Sequence, residues 1–247
     1  PLDSAARVTI AVVDTNGVVL GMVASRDAPV FGADVSVQKA RTAALFSSNT
    51  AAAFLDSIPD ADYPNGGIVP IGDYVTATQA FFNDPAALAT GDAAISARAV
   101  GNLARPTFPD GISGTANGPL SKPGGEWSPF STGLQLDLVV NAVVQHLTFI
   151  LGGGPDVADN CTATPGDPRA ANGIQIFPGG VPIYRGATLV GGIGVSGDGV
   201  DQDDMIAFLG IHGAAAGIGN AASARRADRL TPQGVRLRYV QCPQAPL

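Results

Sequence analysis

The sequence predicts an α+β fold, and two stretches carry that prediction. Asn16-Gly17 lies between two β-branched runs, the strongest short-range hairpin signal. Far along the chain, Ile174 to His212 reads as short strand, Gly-Gly turn, strand, tight turn, glycine-rich strand, acidic helix start and apolar helix. Helical and turn-rich segments lie between the two. The 247 residues fit one large domain or two small ones and can bury a sizeable core.

Taken in order, Val8 to Asp14 and Val18 to Ser25 form the hairpin. Asp34 or Ser36 then caps a helix through about Asn49, with Val37, Ala40, Ala44 and Leu45 inward and the alanines allowing close packing on a sheet. Residues 56–73 are turn-rich. Helices are expected over 74–88, broken near Asn83-Asp84-Pro85, and over 93–103. Residues 105–130 are mostly loop and contain Trp127, an aromatic anchor on the domain or on a neighbour. Residues 134–151 are the most apolar helix, with Asp137, Asn141 and Gln145 as a wet edge and His146 beside it. Strands follow at 174–177, 181–184 and 187–196. Glycines 191, 192, 194 and 197 weaken the last, which makes sense where a helix, another backbone or a ligand comes very close. A helix covers 201–211, and 235–240 suits an edge strand.

Composition excludes several classes. Net charge is −7 and no basic run exists, so a nucleic-acid partner is not expected; Arg225, Arg226 and Arg229 read as a solvated face of one helix. Asp137, Asn141, Gln145 and His146 interrupt the longest apolar stretch, so no membrane span is expected. Cys161 and Cys242 have no metal or haem-attachment spacing. A disulfide between them would tie the middle of the chain to its end and place the protein outside the cytoplasm, extracellular or periplasmic; two free thiols are the alternative.

Chemistry-bearing residues are few. Gly192-x-Gly194-x-x-Gly197 matches the dinucleotide fingerprint, but Asp198, Asp201, Asp203 and Asp204 crowd the helix start that would hold a pyrophosphate and would repel it. Those four aspartates have two readings: cap and dipole partners of the helix, or oxygen ligands of a calcium or iron ion. His212 continues the Met205, Phe208, Leu209 stripe, so it is either a buried, satisfied histidine or a haem or metal ligand. No Gly-x-Ser-x-Gly elbow exists and nothing singles out a carboxylate pair, so the sequence leans away from an enzyme.

The strands "GGVPIYRGATLVGGIGVSG" with their acidic helix, the hairpin "VTIAVVDTNGVVLGMVASRDAP" and the helix "SVQKARTAALFSSNT" together resemble the GlcG/HbpS family of haem-binding proteins, domain of unknown function 336. The resemblance implies a profilin-like single domain over 1–247, a central antiparallel sheet with packed helices. Its core is 8–58 and 174–240; 59–173 departs from the family pattern as a helical and loop insert, which either covers the ligand face or leaves the cleft open. Members usually carry a helix before the first strand; only about seven residues precede it here. The resemblance implies haem or a related tetrapyrrole gripped between sheet and helix near Gly179 and Gly180. His212 or His146 would be the axial ligand, Tyr184 the third choice, and Lys39 and Arg41 propionate partners. It also implies a homo-oligomer or a larger assembly. The competing expectations are an accessory subunit of a surface assembly without ligand and, below both, an enzyme acting on a small acid or redox substrate.

Overall fold

A computed structural model describes residues 5–62, 67–134, 139–157, 167–218 and 225–241. Cys161 and Cys242, and Asp137 of the apolar segment, lie outside the described residues.

The chain forms β1 (Thr9–Val13), β2 (Val19–Ala24), α1 (Phe31–Phe46), α2 (Ala51–Asp56), the short pair β3 (Ala61–Asp62) and β4 (Ile68–Val69), α3 (Ile71–Phe82) and α4 (Ala97–Leu103). Then come α5 (Val140–Ile150), β5 (Gly180–Arg185), β6 (Thr188–Ser196) and α6 (Val200–Ile218). The opening hairpin and the glycine-rich strands share one sheet of order β2-β1-β6-β5. Every pairing in it is antiparallel. The fold is α+β, as the sequence predicts.

What positions α1 is the absence of side chains on β6. A Cβ at Gly194 would lie 1.9 Å from the Ser36 carbonyl oxygen, and one at Gly192 would lie 2.3 Å from that of Ala40. Ser36, Ala40 and Ala44, one helical turn apart, are all buried against this surface. Ile193 and Val195 alternate with the glycines and join the large hydrophobic core, to which α6 adds Ala207 and Ile211. The middle of the chain belongs to the same core: Ile71, Tyr74, Leu103, Leu120, Phe130 and Leu134 cluster with Phe46, Phe54 and Tyr184. Tyr74 and Phe130 meet edge to face at 5.0 Å.

Several boundaries differ from expectation. α1 starts at Phe31, before Asp34 and Ser36, and no side chain caps it. Gly32 is drawn against the Ser196 carbonyl, so a tertiary contact begins the helix early. α3 ends at Phe82 because Asn83 turns left-handed. α4 begins only at Ala97, where Ser96 accepts the Ala99 N–H. Residues 174–177 form no strand; the Ile174 N–H goes to the Gly133 carbonyl and the Gln175 N–H to the Thr42 hydroxyl. Residues 235–240 form none either, and the Leu237 N–H goes to Leu230. Arg225, Arg226 and Arg229 share no α-helix. α5 buries no residue; Val144, Leu147 and Ile150 are exposed along with its polar edge. Among the described residues no helix is long and apolar enough to cross a membrane.

The fit of α1 on β6 makes a direct prediction. Gly194→Ala should destabilise the protein by about 2 kcal/mol or more, through overpacking against a helix backbone that cannot move alone. Gly210→Ala on α6, where the added methyl meets open space, should be neutral or stabilising. Urea denaturation of both variants checks this; equal midpoints would show that α1 is free to lift.

Candidate functional site

The first turn of α6 is held by cations from two other helices. The Lys39 ammonium, from α1, donates to Asp203 Oδ2 at 2.8 Å, to the Val195 carbonyl at 2.9 Å and to Ser196 Oγ at 3.4 Å. Lys39 and Asp203 are each about 2% exposed, so this pair is sealed from water. Arg98, from α4, donates through Nε to Asp204 at 2.5 Å and through its terminal nitrogen to Asp201. Asp204 also accepts the backbone N–H of Gly179 at 2.7 Å and of Gln241 at 3.0 Å. Burial pulls the Lys39 ammonium down from the ordinary lysine range, opposed by the Asp203 charge. Burial likewise pushes the Asp203 and Asp204 carboxyls up, opposed by Lys39 and Arg98 respectively.

This network settles where most of the expected site residues lie. Lys39 is spent on Asp203, and Arg41 donates to the Gly17 carbonyl and to Asn172, so neither cation is available to a propionate. Three of the four aspartates face cations of the chain itself, while Asp198 is exposed. Among the described residues no group of three or more His, Cys, Asp or Glu is arranged to hold a metal ion. Gly179 and Gly180 are buried under the helices. A Cβ at Gly179 would meet the Val195 oxygen at 2.4 Å and Lys39 Nζ at 3.1 Å; one at Gly180 would meet the Lys39 oxygen at 2.3 Å and Ala97 Cβ at 3.0 Å. Gly179 also has a φ of +115°, open only to glycine. At these two positions α1, α4, α6 and β6 occupy the space that a Cβ would take.

The three candidate axial ligands are not brought together. Tyr184, on β5, is buried; its hydroxyl faces Ser47 without a well-formed hydrogen bond, and burial pushes the phenol up. His146, on α5, is exposed and pairs with Asp156 at 2.7 Å. His212 is exposed on α6. The buried seam of that helix runs Asp203, Ala207, Ile211 rather than Met205, Phe208, His212, because Lys39 and Arg98 draw the first-turn aspartates inward. That rotation turns His212 outward.

The surface around His212 is open. Phe208 lies one turn back with its ring near parallel to the imidazole, 11° apart at 6.4 Å between centroids. A Cβ at Gly210 or Gly213 would meet nothing within 4 Å, and Leu209 is exposed. The Arg226 guanidinium lies 6.0 Å from the Phe208 ring and 5.2 Å from that of Tyr239. Asp228 holds it: Arg226 Nε donates at 3.0 Å, and Arg236 approaches the same carboxylate at 2.8 Å. Burial opposes ionisation of Asp228, but the two guanidiniums outweigh it and hold the carboxyl below the usual range. Sequence reasoning missed Arg98 and the Arg226–Asp228 pair. A lone arginine inside Ala97-Arg98-Ala99-Val100 is the signal that was there to find, since a charge within an apolar helix needs a partner.

With this geometry in place, comparison with known proteins is informative. The family model described as "Haem degrading protein HbpS-like" matches residues 2–98 and 141–212, and the chain belongs to that HbpS-like family. The match extends into the 59–173 segment from both sides and leaves 99–140 between its blocks. No curated protein matches the chain. Among solved structures, a PduOC–heme complex is similar at 16% identity with a TM-score of 0.37, covering 87% of this chain and 83% of the other. Klebsiella pneumoniae protein ORFY, of the DUF336 family model, is similar at 16% identity with a TM-score of 0.36, covering 83% and 73%.

Two predictions test the charge network. Lys39→Met should cost about 3–5 kcal/mol, because it strands the Asp203 carboxylate in the interior. Lys39→Met with Asp203→Leu should recover most of that loss. Denaturation of the single and double variants measures both, and a single variant within about 1 kcal/mol of wild type would sink the idea. The second concerns pH. A carboxyl whose folded pKa is depressed stabilises the protein above its unfolded value and loses that contribution as pH falls through the folded one. The stability gap between wild type and Asp228→Asn should therefore be full near neutral pH and close as the pH drops below the ordinary aspartate value of 3.8. Thermal midpoints across that range check the sign.

Proposed function

We propose that this protein is a binding module for haem or a related tetrapyrrole, with His212 as the axial ligand. The observation that carries the reading is the exposed, outward imidazole of His212 on α6, stacked near the Phe208 ring. The residues present fit such a group. An imidazole is a common iron ligand, and the exposed Leu209 and the Phe208 ring offer apolar contact. Membership of a family described as haem degrading supports the same ligand class. Binding is the step that haem storage, transfer and degradation all require. When bound, haem would supply an iron centre at His212. The chain's own contribution is to hold the helix that presents the imidazole, through Lys39 and Arg98 on its first-turn aspartates. Tyr184 is the poorer ligand because its phenol is buried and resists ionisation.

Titration of the purified protein with haemin should give a saturable Soret shift in wild type and in His146→Ala, and a lost or displaced band in His212→Ala. Both histidines are exposed, so both variants should keep wild-type circular dichroism. An unchanged Soret band in His212→Ala removes that residue from the proposal.

One observation favours a second reading, an accessory subunit in a protein assembly. Val144, Leu147, Ile150 and Leu151 are 53–85% exposed along and just after α5, an apolar face of the kind that marks an interaction site. Native mass measurement separates the readings: a lone monomer that binds haemin speaks against the subunit role.

A further inference from the structure

A concave site lies away from α6 and from both histidines discussed as axial ligands. It has two connected parts. One is a cavity of about 180 Å³ with an apolar wall that includes Phe46, Phe82, Leu88 and Ile95, and Asp84 also lines it. The other is a wider, hydroxyl-lined groove of about 530 Å³ that includes Ser47, Thr50 and Thr188. Ser48, Thr90, Gly91, Asp92 and Arg225 line both, so they form the junction.

Arg225 distinguishes this junction from an ordinary surface dent. Arg98, Arg169 and Arg226 each hold a carboxylate through a bond of 3.0 Å or less. Arg225 does not: it reaches the Gly91 carbonyl at 3.4 Å and Asp92 at 3.6 Å. Asp92 is 76% exposed, so water competes for that contact and an incoming anion can replace it. A guanidinium held this loosely, at the mouth of an apolar cavity, has the fork geometry that a carboxylate fills with two parallel hydrogen bonds. The buried Tyr184 hydroxyl, which lacks a well-formed hydrogen bond, lies beside Ser47 and close enough to Arg225 to feel its charge. The apolar end has room for a ring: a closed cavity of about 150 Å³ accepts benzene, and this one, open to solvent, is slightly larger.

We propose that this groove binds a small organic carboxylate, its apolar body in the cavity behind Phe46 and Phe82 and its carboxylate on Arg225. The site is separate from the His212 reading and does not depend on it.

The test uses the full chain without haemin and takes benzoate as the probe, followed by titration calorimetry at low salt. Benzoate should bind with a millimolar or tighter constant, and benzamide and benzylamine roughly tenfold or more weakly, since they lack the charge that the guanidinium pairs with. Arg225→Gln should weaken benzoate by roughly tenfold or more while leaving benzamide unchanged. Ala87→Phe, at a half-buried position lining the apolar cavity, should abolish binding of both. No benzoate binding to wild type, benzylamine binding tighter than benzoate, or unchanged benzoate affinity in Arg225→Gln overturns the proposal. If Arg225→Gln loses its folded circular dichroism, Ala87→Phe decides instead, and unchanged benzoate affinity there overturns it.

Discussion

The contact on which the arrangement turns is the sealed ion pair between Lys39 and Asp203. A lysine stem is short, and its ammonium can reach a β6 carbonyl and an α6 carboxylate together only if α1 lies flat on the sheet. Gly192 and Gly194 allow that approach, since any side chain there would strike the helix backbone. The pair is not a large source of net stability, because removing two charges from water costs about what their attraction returns. Its effect is on alternatives. A slipped helix or a shifted strand would leave a charge in the core without a partner, and that cost excludes neighbouring arrangements.

The same pair sets how α6 is used. Lys39 and Arg98 pull Asp201, Asp203 and Asp204 inward at the start of the helix, so the seam that faces the core runs through Ala207 and Ile211. The stripe that reads as apolar in sequence is thereby turned partly toward solvent. One end of the helix is locked by electrostatics; farther along, the imidazole is free. A helix oriented by its apolar residues alone would have put His212 inside.

Much of the fold was legible because its signals are local. Asn16-Gly17 specified the hairpin, Arg185-Gly186 the second turn, and the glycines of β6 announced a close approach before the partner helix was known. What failed depended on side-chain or backbone partners far away in sequence, although the resemblance already puts the distant hairpin and glycine-rich strands in one sheet. Lys39 read as an open cation because nothing near it names Asp203, 164 residues on. Arg98 drew no attention for the same reason. Ile174 to Phe177 looks like a strand, but its backbone donors were taken by Gly133 and Thr42 from other parts of the fold. The segment around α5 read as an apolar helix with one wet edge, yet it buries no residue, because composition alone cannot say which elements a core leaves outside. The candidate site was half visible: His212 could be named, but its outward direction followed only from the pull on the aspartates.

The chain contains only two lysines, and their surroundings are opposite. Lys122 is half exposed, its ammonium 5.6 Å from the Tyr74 ring. Lys39 is enclosed on every side by α1, β6 and α6. An acylating reagent therefore meets one lysine side chain while the helix rests on the sheet, and a second only when it lifts. The molecule carries a built-in chemical gauge of its own opening, readable by mass without any label or engineered residue.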